Sequence, residues 1–133
     1  MIAKSEGIAI VKIHVVKVLG KSVYGYTSYG AINVDWDGTI PEIEKKYDIE
    51  LDIDEPLIWG ANIVSSITPN NTITIKDNMI LISGILETVH HDGYSVLRIG
   101  ESIITFLAQG NSLICGSNIT IIAKSMRAFP VSY

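Results

Sequence analysis

Tyr47 to Asp54 alternates without a fault: Tyr47, Ile49, Leu51 and Ile53 on one side, Asp48, Glu50, Asp52 and Asp54 on the other. Period two with apolar residues on one side is the pattern of a half-buried antiparallel strand. The four carboxylates repel one another along the wet face and discourage a further edge from pairing there. The same texture runs through the chain. Ile8 to Val18 is rich in β-branched residues, which favour strands. Val23–Tyr26, Ala31–Trp36, Leu57–Trp59, Thr72–Lys76, Met79–Glu87, Tyr94–Ile99, Ser102–Leu107 and Asn118–Lys124 read the same way, with Pro56 interrupting the alternating strand. Turn signals lie between them at Asp37-Gly38, Asp77-Asn78 and Asp92-Gly93.

Two segments allow a short helix. Thr39–Lys46 has a capping threonine, Pro41 in the first turn and acids near its start; Ala61–Ser66 is the second. The tail from Ser125 adds a last edge segment limited by Pro130. The fold class is therefore all-β, or β-rich with one or two short helices, as an antiparallel barrel or sandwich. Met79–Lys124 reads as a Greek-key barrel of OB type, with Gly84 as the bend that closure demands. Leu51–Ile58 also resembles Leu97–Ile104 at an offset of 46, by chance in an isoleucine-rich chain or as a repeat that makes Glu55 and Glu101 equivalent kinks.

At 133 residues, 47% apolar and 18% charged, the chain predicts one domain, 1–133, with a real core, and it is not disordered. No run approaches the ~20 apolar residues of a membrane helix. The first seven residues lack a secretion signal and there is one cysteine, Cys115, so a cytoplasmic location is expected.

The net charge of −4 hides an asymmetry. Residues 35–55 hold nine carboxylates against Lys45 and Lys46, a local −7 that leaves +3 elsewhere. Nucleic-acid binding needs clustered lysine and arginine, and the only dense cluster here has the opposite sign. Direct contact with nucleic acid is disfavoured for that reason.

Catalytic motifs are missing. His90-His91-Asp92 has metal-binding side chains, but neighbours on an extended loop point apart, so a solvated turn is expected and no metal or cofactor is assigned. His14 reads as a half-buried sheet residue. Cys115 follows Leu113-Ile114 and has no cationic neighbour, so it reads as a buried, inert thiol. Gly20-Lys21-Ser22 lacks the upstream glycine of a phosphate loop, and no serine sits in a Gly-x-Ser-x-Gly elbow. Acid pairs on one wet strand face have nothing to split their proton affinities, which argues against a glycosidase. Val23–Gly30 is different: Tyr24, Tyr26 and Tyr29 stand among glycine and serine, a composition suited to recognition.

The expectation is a non-enzymatic binding module with an acidic surface made by Asp35, Asp37, Glu42, Glu44, Asp48, Glu50, Asp52 and Asp54. Its partner is a basic protein, in the sharpest form a bacterial toxin such as a nuclease held by an immunity protein. Two alternatives remain. One is an OB-like domain using Tyr24, Tyr26 and Tyr29 on single-stranded nucleic acid or oligosaccharide; the other is a structural subunit of a secretion or phage assembly.

Overall fold

The structure is a computed structural model and describes residues 10–131. Eleven strands make one continuous sheet: β1 (Ile10–Leu19), β2 (Ser22–Thr27), β3 (Gly30–Trp36), β4 (Lys46–Ile58), β5 (Ile63–Ser65), β6 (Thr72–Lys76), β7 (Met79–Val89), β8 (Tyr94–Ile99), β9 (Ser102–Gln109), β10 (Asn118–Ala123) and β11 (Arg127–Pro130). Among the described residues there is no helix, and so none long and apolar enough to cross a membrane. The fold is all-β and barrel-like, as the strand spacing suggests.

The sheet curls into two rings. The first closes in the order β1–β2–β3–β11–β4 and back to β1, with one parallel pair, β3 against β11. That is the Greek-key path of an OB barrel. The second ring runs β7–β8–β9, then the C-terminal half of β4, again by a parallel pair. It returns through β5 and β10 to β7. A single bridge between Trp59 and Ile63 joins the end of β4 to β5. Thus β4 belongs to both rings, to the first through its N-terminal half and to the second through its C-terminal half.

The two rings repeat each other at an offset of 71 or 72. His14 pairs with both neighbours of its strand, Tyr26 and Lys46; Ile85 does the same with Arg98 and Asn118. The bulge between Val15 and Lys17 recurs between Leu86 and Thr88. Trp36 lies beside Ala128 in the first parallel pair, and Ala108 lies beside Leu57 in the second. The buried positions follow suit: Val11 and Ile82, Val15 and Leu86, Ile32 and Ile104, Ile49 and Ile121. At one contact the large and small partners have changed places. A β-carbon on Gly25 would fall 2.4 Å from His14 O and 2.8 Å from Ile13 Cγ1. One on Gly84, the counterpart of Ile13, would fall 2.3 Å from Arg98 O and 3.2 Å from Cδ1 of Leu97, the counterpart of Gly25. Either glycine is what close packing allows once the other strand supplies the bulk.

Several expectations change. The repeat at offset 46 is not structural: Leu51–Ile58 lies in one strand, whereas Leu97–Ile104 folds into the β8–β9 hairpin. Pro56 does not interrupt β4; it falls in the register shift between Ile53 and Leu57, where no ladder N–H is required. The 125–133 tail is no edge, because β11 inserts between β3 and β4; Ser132 and Tyr133 lie outside the described residues. Ile8 and Ala9, at the start of the first expected strand, also lie outside them.

Neither short helix forms. In 39–46 the left-handed Glu44 (φ 72°) gives its N–H to Val15 O at 2.7 Å instead of to its own turn. That segment plugs the first ring with buried Pro41, and Trp36 Nε1 donates to Thr39 O at 2.9 Å. In 61–66 the first two residues make a turn, and the β-branched Ile63-Val64 pair with β10 as β5. Asp77-Asn78, both at positive φ, form the expected two-residue hairpin turn.

One carboxylate pins the exchange between rings. Glu55 Oε1 accepts the N–H groups of Lys124 (2.7 Å) and Ser125 (3.0 Å), where the chain crosses from β10 to β11. Glu55→Ala should lower stability by about 2 kcal/mol in urea unfolding. Glu101→Ala, in the exposed β8–β9 turn, should stay within about 0.5 kcal/mol of wild type. Gly84→Ala should cost about 1–3 kcal/mol by overpacking against Arg98.

Candidate functional site

The acidic residues form two groups. The first surrounds β11. Because β11 lies between β3 and β4, Asp35 and Asp52 flank Arg127 in register from either side, and Ser22 continues that row on β2. One step along, Glu50 pairs with Phe129, and Asp37 donates its N–H to Ala128 O at 3.0 Å. Arg127 reaches Asp54 at 3.6 Å and stands 5.7 Å over the Phe129 ring. Asp52 is held by the Thr105 hydroxyl at 2.5 Å. The side chains of Asp35, Asp37 and Glu50 are exposed and have no hydrogen-bond or ion-pair partner among the described residues. This face therefore sets five carboxylates around one arginine and one half-buried aromatic ring.

The second group is tied down. Asp48 takes Lys12 Nζ at 2.7 Å across the β1–β4 pair. Glu44 meets His14 Nε2 at 3.0 Å, and Glu42 takes Lys45 Nζ at 3.2 Å while its N–H donates to the Tyr47 hydroxyl at 2.8 Å. Exposed pairs of this kind add about 0.2–1 kcal/mol each, and they spend negative charge that a partner would otherwise meet. The row of four carboxylates on β4 is thus not a free row. Nor does it keep other strands away, since β1, β9 and β11 all pair with β4. Sequence reasoning missed Arg127 and Phe129. Their outward alternation about buried Ala128 was readable, but their place inside the acidic face depends on a pairing remote in sequence.

The tyrosines separate. Tyr24 and Tyr26 point outward from β2, Tyr26 at 60% exposure, with Lys17 Nζ 5.4 Å from the Tyr24 ring centre. Tyr29 is a joint between the rings. Its hydroxyl meets Ser102 Oγ at 3.1 Å, Ser102 donates to Ile10 O at 2.8 Å, and Tyr29 O accepts Ile73 N–H at 2.9 Å. His14 is half-buried in the sheet, as expected. Cys115 is exposed rather than buried: it lies in the turn closed by Ser117 N–H on Ile114 O, and Ile114 beside it is 82% exposed. His90-His91-Asp92 occupy the β7–β8 turn, where Asp92 Oδ1 caps Tyr94 N–H at 3.0 Å. Among the described residues no three histidine, cysteine or carboxylate side chains converge as a metal site would need.

No protein-family model, no curated protein and no solved structure matches the chain.

Tyr29→Phe should cost about 1 kcal/mol of stability through the lost contact with Ser102. Differential scanning calorimetry would register it as a lowered Tm, with Tyr24→Phe, whose hydroxyl has no partner among the described residues, as the neutral control.

Proposed function

We propose that the chain is a non-enzymatic binding module that holds a basic protein partner against the β3–β11–β4 face. In its sharpest form it is an immunity protein that covers the basic active site of a bacterial toxin such as a nuclease. The observation that carries this reading is the pair of adjacent rows, Asp52–Arg127–Asp35 and Glu50–Phe129 with Asp37 alongside. Carboxylates on both sides of an aromatic ring suit an arginine or lysine side chain, which gains charge-assisted hydrogen bonds and a ring face together. Unpaired Asp35, Asp37 and Glu50 leave a field that speeds encounter with a positive surface. Strand-borne side chains also hold such a constellation more rigidly than loop-borne ones.

The test is calorimetric titration with a cationic toxin domain encoded beside this gene, at about 50 and 500 mM salt. Wild type should bind, and should weaken at least ~10-fold at the higher salt. The double variant Asp35→Lys, Glu50→Lys should melt like wild type and lose at least ~10-fold in affinity at low salt. Binding that ignores both salt and the double variant overturns the reading.

A further inference from the structure

The second ring ends in an open cleft of about 400 Å³. It exists because the rings, alike in path, are filled differently at this point. In the first ring Trp36 occupies the inside of the third strand, and the 37–45 segment seals the end over it. Its counterpart in the second ring is Ala108, which lines the cleft. The missing indole volume is only partly replaced by Trp59, arriving from the end of β4 and packing edge-on to Phe106 at 6.1 Å.

Trp59 is 9% exposed, yet its indole N–H has no acceptor among the described residues. Among the described residues no side-chain nitrogen or oxygen sealed from solvent lacks a partner, so this N–H retains an opening to solvent. Trp59 lines the cleft, and a β-carbon on the lining residue Gly110 would stand 4.0 Å from Cδ1, the carbon bonded to Nε1, so the cleft is the opening this geometry offers the N–H. An indole N–H placed this deep, with no protein acceptor among the described residues, is free to donate to a ligand that enters the cleft.

The other polar groups in the cleft are unspent as well. The side chains of His90, His91, Gln109 and Ser112 make no hydrogen bond among the described residues, and Asp92 uses only Oδ1, on Tyr94. Among the described residues no lysine or arginine lines the cleft and Asp92 is its one carboxylate, so an anionic ligand finds no permanent counter-charge. Imidazole, amide and hydroxyl groups both donate and accept, which is what ligand hydroxyls require. Val89, Ala108 and the Trp59 edge offer apolar surface beneath them. A volume of this size with an apolar floor and a few convergent polar groups is that of a small-molecule site. We infer that the cleft binds a neutral mono- or disaccharide, with Trp59 Nε1 donating to one ligand hydroxyl and the His90–Asp92 turn, Gln109 and Ser112 reading the others. The site is separate from the acidic face, and its test does not depend on a protein partner.

The readout is the indole N–H signal in proton–nitrogen correlation spectra of the full chain, with the Trp59 peak identified as the one missing from Trp59→Phe. Glucose, galactose, N-acetylglucosamine, maltose and lactose are titrated to about 100 mM, with inorganic phosphate and acetate in parallel. At least one sugar should move the Trp59 peak to saturation and leave the Trp36 peak in place. The exposed double variant His91→Ala, Gln109→Ala should keep the wild-type Tm and weaken that sugar at least ~10-fold. The inference is overturned if no sugar moves the Trp59 peak, if only phosphate or acetate does, or if the double variant binds as wild type does.

Discussion

The structure depends on an exchange of strands. Neither ring can be closed by its own four consecutive strands. The first takes β11 from the far end of the second unit, and the second takes the C-terminal half of β4 from the first. A strand that leaves one sheet to complete another must change partners within a few residues: β4 exchanges β1 for β9 between Glu50 and Leu51, and its ladder with β9 then shifts register between Ile53 and Leu57, around Pro56. The proline is tolerated there because the ladder is interrupted at that point. Glu55, the next residue back, holds the reciprocal crossing by binding two backbone N–H groups of the β10–β11 turn.

This arrangement explains which parts of the fold were legible in the sequence. The alternation of Tyr47–Asp54 and the hairpin at Asp77-Asn78 are local properties, set by pleat and turn, and each leaves a mark in a few adjacent residues; Gly84 stood out too, though what it meets is a close approach to Arg98 O. The duplication leaves almost none. Corresponding core positions keep their burial but only in places their identity, with isoleucine retained at 32 and 104 but Trp36 set against Ala108, and one contact reverses which strand is large. An apparent repeat of four matching residues misled because leucine and isoleucine recur in any chain of this composition. Pro56 as a break and β11 as an edge were reasonable local readings. They failed because the partners of both segments lie far away in sequence.

The candidate surface follows the same rule. The density of carboxylates between Asp35 and Glu55 was plain, but density along the chain is not density on a face. Folding divides these residues between a group held by Lys12, His14 and Lys45 and a group gathered round β11. The arginine and phenylalanine that give the second group its shape come from outside the acidic segment. Of the three tyrosines, the one nearest the turn serves the joint between rings, and the two on the strand keep an outward face. At the cleft, sequence located His90-His91-Asp92 as unusual but had no means of supplying Trp59 or the small residue at 108.

The exchange of strands also sets an order of events during synthesis. A ribosome delivers β1 to β4 first, yet the barrel they build has a gap until β11 emerges. Until then the facing edges of β3 and β4 lack their ladder partner, and open edges of this kind invite unwanted pairing. The hydroxyl joint of Tyr29 with Ser102 and the hydrogen bond from Ile73 likewise await later segments. Closure of the first ring thus awaits its last strand and depends on contacts remote in sequence, the kind whose loop-closure entropy slows folding.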